Sequence, residues 1–234
     1  MGRLSGVLLV VCACVLAQST RAEDKFFSVA FKGSLTTNSQ LFPNPNSPDE
    51  LQRAQFFSLK DIWGIGIEVR YRFPETDLAL AISADYLRTT QGSSIRLSGN
   101  RRIPVEDGYR VVPVELTGYF LIPISGESFG VYMGGGGGAY FGRRIYRIGD
   151  VEAPSVDQGV GLGIHVLSGV SYRFTDMISV VAEMKFRDLQ FNSVNQFSAP
   201  TIQYGSTVVP VSTEPFESRV HTDGIVFQVG VVLA

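Results

Sequence analysis

Trp63-Gly64-Ile65-Gly66-Ile67-Glu68-Val69-Arg70-Tyr71-Arg72-Phe73 alternates without a break. Trp63, Ile65, Ile67, Val69, Tyr71 and Phe73 are large and apolar, while every residue between them is Gly or charged. A period of two separates these sets onto opposite faces of a strand, whereas a helix would mix them. Leu78–Tyr86 repeats the pattern with Leu78, Leu80, Ile82, Ala84 and Tyr86 against Ala79, Ala81, Ser83 and Asp85. In Ile178–Phe186, Ile178, Val180, Ala182, Met184 and Phe186 oppose Ser179, Val181, Glu183 and Lys185. Gly224–Ala234 places Ile225, Phe227, Val229, Val231 and Leu233 on one face. Four noisier segments follow the same rule: 27–35, 110–122, 129–141 and 160–174. The pattern predicts eight strands, each longer than the usual 5–6 residues.

Their connections alternate in length. Pro74-Glu75-Thr76-Asp77, Ser125-Gly126-Glu127-Ser128 and Thr175-Asp176 read as tight polar turns. Long polar stretches, at about 38–60, 90–107, 147–157 and 191–221, read as loops. Short turns at one end and long loops at the other suit an eight-stranded antiparallel up-and-down transmembrane β-barrel. An even strand number puts both termini at the short-turn, periplasmic end.

Composition agrees with an exported barrel. The 234 residues contain 25 glycines and only 18% charged side chains. A formal net charge of −2 gives no footprint for nucleic acid. Arg3, the apolar run Gly6–Leu16 and Thr20-Arg21-Ala22 read as a signal peptide over 1–22, leaving a barrel domain over 23–234. Both cysteines, Cys12 and Cys14, fall inside the leader, so the mature chain has neither disulfide nor thiolate site. Val11-Cys12-Ala13-Cys14 is a poor lipoprotein box, with cysteine inside it and a short apolar run before it.

The apolar rows are assigned to lipid. They hold more bulk than eight strands accommodate internally, whereas the opposite rows are rich in Gly, Ala and Ser. Aromatics gather near strand ends in two girdles: Tyr71, Phe73, Phe120, Phe129, Tyr172 and Phe174 by the short turns, Trp63, Tyr86, Phe141 and Phe186 by the loops. A soluble, lipocalin-like barrel is the alternative.

VPVELTGYFLIPI (112–124), FGVYMGGGGGAYFGRR (129–144) and the terminal VFQVGVVLA (226–234), with the leader and eight strands, resemble small bacterial outer-membrane β-barrel proteins of the OmpA/OmpX/OmpW-like group. The resemblance covers essentially all of 23–234. It implies a Gram-negative outer membrane, contact with membrane lipid and lipopolysaccharide, and insertion by the barrel-assembly machinery. Such chains often end in an aromatic residue, whereas this one ends Val232-Leu233-Ala234.

The lumen row carries both signs of charge: Lys32, Glu68, Arg70, Arg72, Asp85, Glu115, Arg173, Glu183, Lys185 and Arg187. Buried charges must be paired or solvated, so these predict an ion network plugging the barrel. Gly134–Gly138 lacks the Lys-Ser/Thr of a phosphate loop. Its glycines instead predict curvature or room for a lumen side chain such as Tyr119 or Tyr140. His165 and His221 make a poor metal site, and no cofactor is expected. The resulting expectation is a non-enzymatic surface barrel whose loops near 38–60 and 191–221 serve envelope integrity or an extracellular ligand. Transport of small or hydrophobic molecules is the alternative. A lipid A-modifying enzyme using His221 with Ser212 or Ser218 is a minor one.

Overall fold

A computed structural model describes residues 26–96, 102–123, 128–205, 207–222 and 224–234. The expected leader with Cys12 and Cys14, and most of the expected 125–128 turn, lie outside the described residues. The strands are β1 (Phe27–Phe42), β2 (Phe57–Arg72), β3 (Leu78–Arg96), β4 (Arg102–Ile122), β5 (Phe129–Ile148), β6 (Val151–Glu152) and β7 (Ser155–Gln158). They continue with β8 (Val160–Arg173), β9 (Ile178–Asn195), β10 (Thr201–Tyr204), β11 (Thr207–Pro210), β12 (Phe216–Thr222) and β13 (Ile225–Leu233).

The sheet closes into a ring of eight staves, all antiparallel to their neighbours. β1 to β5 supply five staves, β7 with β8 the sixth, β9 the seventh, and β12 with β13 the eighth. β1 then pairs with β2 on one side and with β12 and β13 on the other. Closure satisfies every ladder, as lipid demands. Phe26 accepts from the Arg72 amide and Ala234 donates to the Met177 carbonyl, so both described chain ends lie at the short-turn end.

The eight core strands stand where the alternation places them, and the apolar row faces outward. Ile67 is 42% exposed and its neighbour Glu68 1%. The strands run further than expected. β3 reaches Arg96, β4 begins at Arg102, β5 reaches Ile148, β9 reaches Asn195, and β12 lies inside the stretch read as a loop. β4 has 21 residues, about twice the 9–11 that cross a bilayer. The wall therefore rises beyond the membrane, where water bathes its outer surface and lipid patterning no longer applies.

Two smaller elements sit at that far end. A helical turn, α1 (Glu50–Arg53), lies between β1 and β2, with Asp49 accepting from the Leu51 amide. The β10–β11 hairpin turns inward instead of waving as a loop. Ile202 is buried with Ile103, Val105, Ile148, Ala153 and Phe197, and Tyr204, Val209 and Phe216 pack around them. This apolar cluster caps the long-strand mouth.

Candidate functional site

The lumen is built from the inward rows of all eight staves. Nearest the short turns, Tyr119 and Tyr132 stack edge to face at 5.7 Å, with Ala79, Ala81, Leu167 and Val181 around them. Each tyrosine carries a hydroxyl toward the charges above. Tyr119 donates to Glu68 at 2.8 Å, and Tyr132 donates to Glu183 at 2.8 Å.

Those carboxylates belong to a four-charge cluster. Lys32 donates to Glu68 at 2.8 Å and to Glu183 at 2.8 and 3.0 Å. Arg70 forks onto Glu68 at 2.7 and 3.2 Å and lies over the Tyr119 ring at 4.0 Å. A second cluster sits above the first. Glu115 accepts from Lys185 at 2.9 Å and from Arg187 at 2.7 and 3.2 Å, and Arg187 also donates to Asp85 at 2.8 Å. Tyr140 donates to Glu115 at 3.1 Å. His165 is buried beside it, with Nε2 2.9 Å from the Thr117 hydroxyl. Each cluster sets two cations against two carboxylates and is neutral as a unit. In such a buried network, removing one partner strands an uncompensated charge.

Eight of the ten expected lumen charges thus converge. Arg72 and Arg173 do not, because both lie exposed at the short-turn mouth, beyond the reach of the closed interior. Tyr132 joins the network although the sequence reading passed over it. Its signal was its parity, since it shares the inward row with Gly130 and Gly134.

The glycines make room for these rings. A Cβ on Gly169 would stand 2.7 Å from the Tyr132 ring, and one on Gly163 would stand 2.8 Å from Tyr140. At Gly136 and Gly138 a Cβ would run into the carbonyls of Leu116 and Val114 on β4. The five-glycine run therefore serves close strand approach as well as ring space.

Above the ions lies an apolar layer of Leu41, Leu59, Ile62, Leu87, Tyr109, Val111, Leu189, Phe191 and Val220. Between it and the cap, Arg144 forks onto Asp107 at 2.8 and 2.6 Å and stacks on Tyr146 at 4.7 Å.

The girdle residues lie on the outer wall. Trp63, Phe73, Tyr86, Phe120, Phe129, Phe141, Tyr172, Phe174 and Phe186 are all exposed, and Tyr71 is half-buried against Phe27 and Phe73. His221 contacts Asp188 at 3.1 Å on the outer face, whereas Ser218 is buried on the inner face and donates to the Ser193 carbonyl. Ser212 is exposed beyond β11 and accepts from the Glu214 amide. The histidine and the serines proposed with it do not meet. Among the described residues, no three metal-ligating side chains come together.

An outward apolar wall with aromatic ends, closed around a charged interior, defines a transmembrane β-barrel protein of the bacterial outer membrane. The chain belongs to the outer membrane protein beta-barrel domain family, whose pattern matches residues 5–209. Among solved structures it is similar to the outer membrane protein OprG from Pseudomonas aeruginosa, with 13% identity, a TM-score of 0.58, and coverage of 88% of this chain and 94% of that one. It is also similar to Neisserial surface protein A, with 15% identity, a TM-score of 0.47, and coverage of 89% and 97%. The attachment invasion locus protein Ail of Yersinia pestis matches with 11% identity, a TM-score of 0.46, and coverage of 89% and 98%. The likeness to OprG is one of fold. No curated protein matches the chain.

Proposed function

We propose that the chain is a non-enzymatic outer-membrane barrel with a plugged lumen, whose raised and capped far end serves envelope integrity or surface binding. The observation that carries this reading is the filling of the lumen along its length. Two neutral ion clusters occupy the membrane-embedded part, and an apolar layer and an apolar cap lie above them. Opening such a path would separate buried ion pairs and wet apolar surface together. In this reading the leader is removed after Ala22, and the short-turn end with both termini faces the periplasm. Membrane lipid, lipopolysaccharide and the assembly machinery are its partners, with an extracellular ligand at the capped end. The separation of His221 from Ser212 and Ser218 supports a non-enzymatic role.

Purified protein in a planar bilayer tests the reading. It should give little or sporadic conductance. Stable, porin-sized channels in most insertions would replace it with the transport reading.

A further inference from the structure

Just above the aromatic girdle, three arginines stand side by side on neighbouring strands. Arg88 on β3 pairs directly with Arg110 on β4, and Arg110 pairs directly with Arg143 on β5. All three follow the outward parity of the lipid-facing rows. Arg88 comes two residues after Tyr86, Arg143 two after Phe141, and Arg110 two before Val112. Arg88 is exposed, and Arg110 and Arg143 are half-buried.

Like charges placed directly across strands repel. Among the described residues, none of the three makes an ion pair or a side-chain hydrogen bond. Further up this face Glu106 and Glu152 are already engaged, since Arg147 takes both at 3.2 Å. The opposite side of the barrel is different. There His221 meets Asp188, and Arg219 lies against Asn192, which also reaches Glu217. On the β3–β5 side the three arginines form a continuous row of cations, with which no carboxylate pairs among the described residues, and the row stands one step above the loop-side girdle.

The wall beneath the row suits an acyl chain. Arg110, Val112, Val114 and Leu116 run down the centre of β4's outer face, with Tyr86 and Phe141 on either side. One level lower, Ala84 and Ala139 flank Val114, so only small side chains lie directly beneath the two aromatic rings. Three adjacent strands span about 10 Å, enough for more than one phosphate.

We propose that Arg88, Arg110 and Arg143 form a docking site for the anionic, phosphate-bearing headgroup of a membrane lipid, with its acyl chain lying along Val112 and Val114 between Tyr86 and Phe141. Charge-assisted, forked contacts from guanidinium to phosphate oxygens replace the mutual repulsion of the row. The inference rests on the placement of the girdle in the membrane and not on the plugged lumen, so a conducting barrel would leave it standing.

The test titrates the folded, detergent-solubilised protein with cardiolipin, which carries two phosphates, and with zwitterionic phosphatidylcholine. The wild type is compared with the triple variant Arg88→Gln/Arg110→Gln/Arg143→Gln and with the control Lys60→Gln/Arg219→Gln. Heat-dependent gel mobility confirms folding of each. At about fivefold per arginine, the triple variant should bind cardiolipin about a hundredfold more weakly. The control should match the wild type, and phosphatidylcholine should bind weakly to all. If the triple variant fails to fold, the single variant Arg110→Gln gives the answer through its own loss of about fivefold. Equal cardiolipin binding by variant and wild type overturns the proposal. So does full competition by inorganic phosphate at the same occupancy, which would make the row a site for soluble anions.

Discussion

The lower and upper halves of this barrel are inside out with respect to each other. Below the loop-side girdle, the outer wall is Ile65, Ile67, Leu80, Ile82 and Leu116, and the interior holds Lys32, Glu68, Arg70, Glu115, Glu183, Lys185 and Arg187. Above it, β3, β4 and β9 turn Arg88, Arg110, Asp188, Gln190 and Asn192 outward, and the interior becomes Tyr109, Val111, Leu189 and Phe191. The same strands run through both halves. What changes is the solvent outside them. Lipid demands an apolar exterior and leaves polarity to a paired interior, whereas water outside restores the ordinary apolar core. On β2 the switch has a backbone mark: Asp61, with φ of 53°, lies between inward Leu59 and inward Ile62, so the inward row moves from odd to even positions just above outward Trp63 and Ile65.

The contrast predicts different penalties in the two halves. The largest belongs to Glu115→Ala. It leaves Lys185 without its carboxylate and takes one of the two acids from Arg187. Breaking a buried pair by removing one partner costs about 3–5 kcal/mol. The urea midpoint, followed by heat-dependent gel mobility, should fall sharply.

Next comes Ile67→Arg, a charge on the lipid face, costing about 2–4 kcal/mol near the bilayer midplane. It should impair insertion more than Glu68→Ala does, because Lys32 and Arg70 both keep Glu183 when Glu68 is lost. Normal folding of Ile67→Arg together with failure of Glu68→Ala would invert the faces assigned to β2.

A matched pair sharpens the comparison further. Leu189→Ala empties a site in the upper interior and should cost about 2–5 kcal/mol. Leu80→Ala lies on the lower exterior, where lipid fills the gap, and should cost much less. Equal losses in denaturant melts would mean that the upper interior is not packed. The smallest effect is expected for Arg147→Gln on the upper exterior. Its pairs with Glu106 and Glu152 are partly exposed, so the loss should stay within about 1 kcal/mol.

The same inversion explains what was legible in the sequence. Alternation read with apolar residues on one fixed face follows β2 down from Trp63, and β3, β5 and β9 up to Tyr86, Phe141 and Phe186. Each of those limits is a girdle residue. Beyond them the apolar set changes face, so the one-face pattern stops and the continuing wall reads as loop. Within the membrane half, the lumen charges were readable because a strand allows them only one direction. Their partners were not, because Lys32 and Glu183 are 151 residues apart and meet only when the barrel closes. Arg72 and Arg173 have the right parity but lie too near the mouth. The Arg88–Arg110–Arg143 row required the register of three strands, which no single strand reveals.

The measurement that bears most directly on the inversion is a spin-label accessibility scan of β9, one cysteine at a time from Val180 to Asn195 in lipid vesicles. Both native cysteines are Cys12 and Cys14, so 23–234 offers no competing thiol. Labels at the outward positions Ala182, Met184 and Phe186 should be reached by oxygen, and those at Asp188, Gln190 and Asn192 by a water-soluble relaxant. Inward positions from Val181 through Phe191 should be closed to both. Oxygen access continuing unchanged beyond Phe186, or water-soluble relaxant reaching Leu189 and Phe191, would contradict the inverted, capped barrel described above.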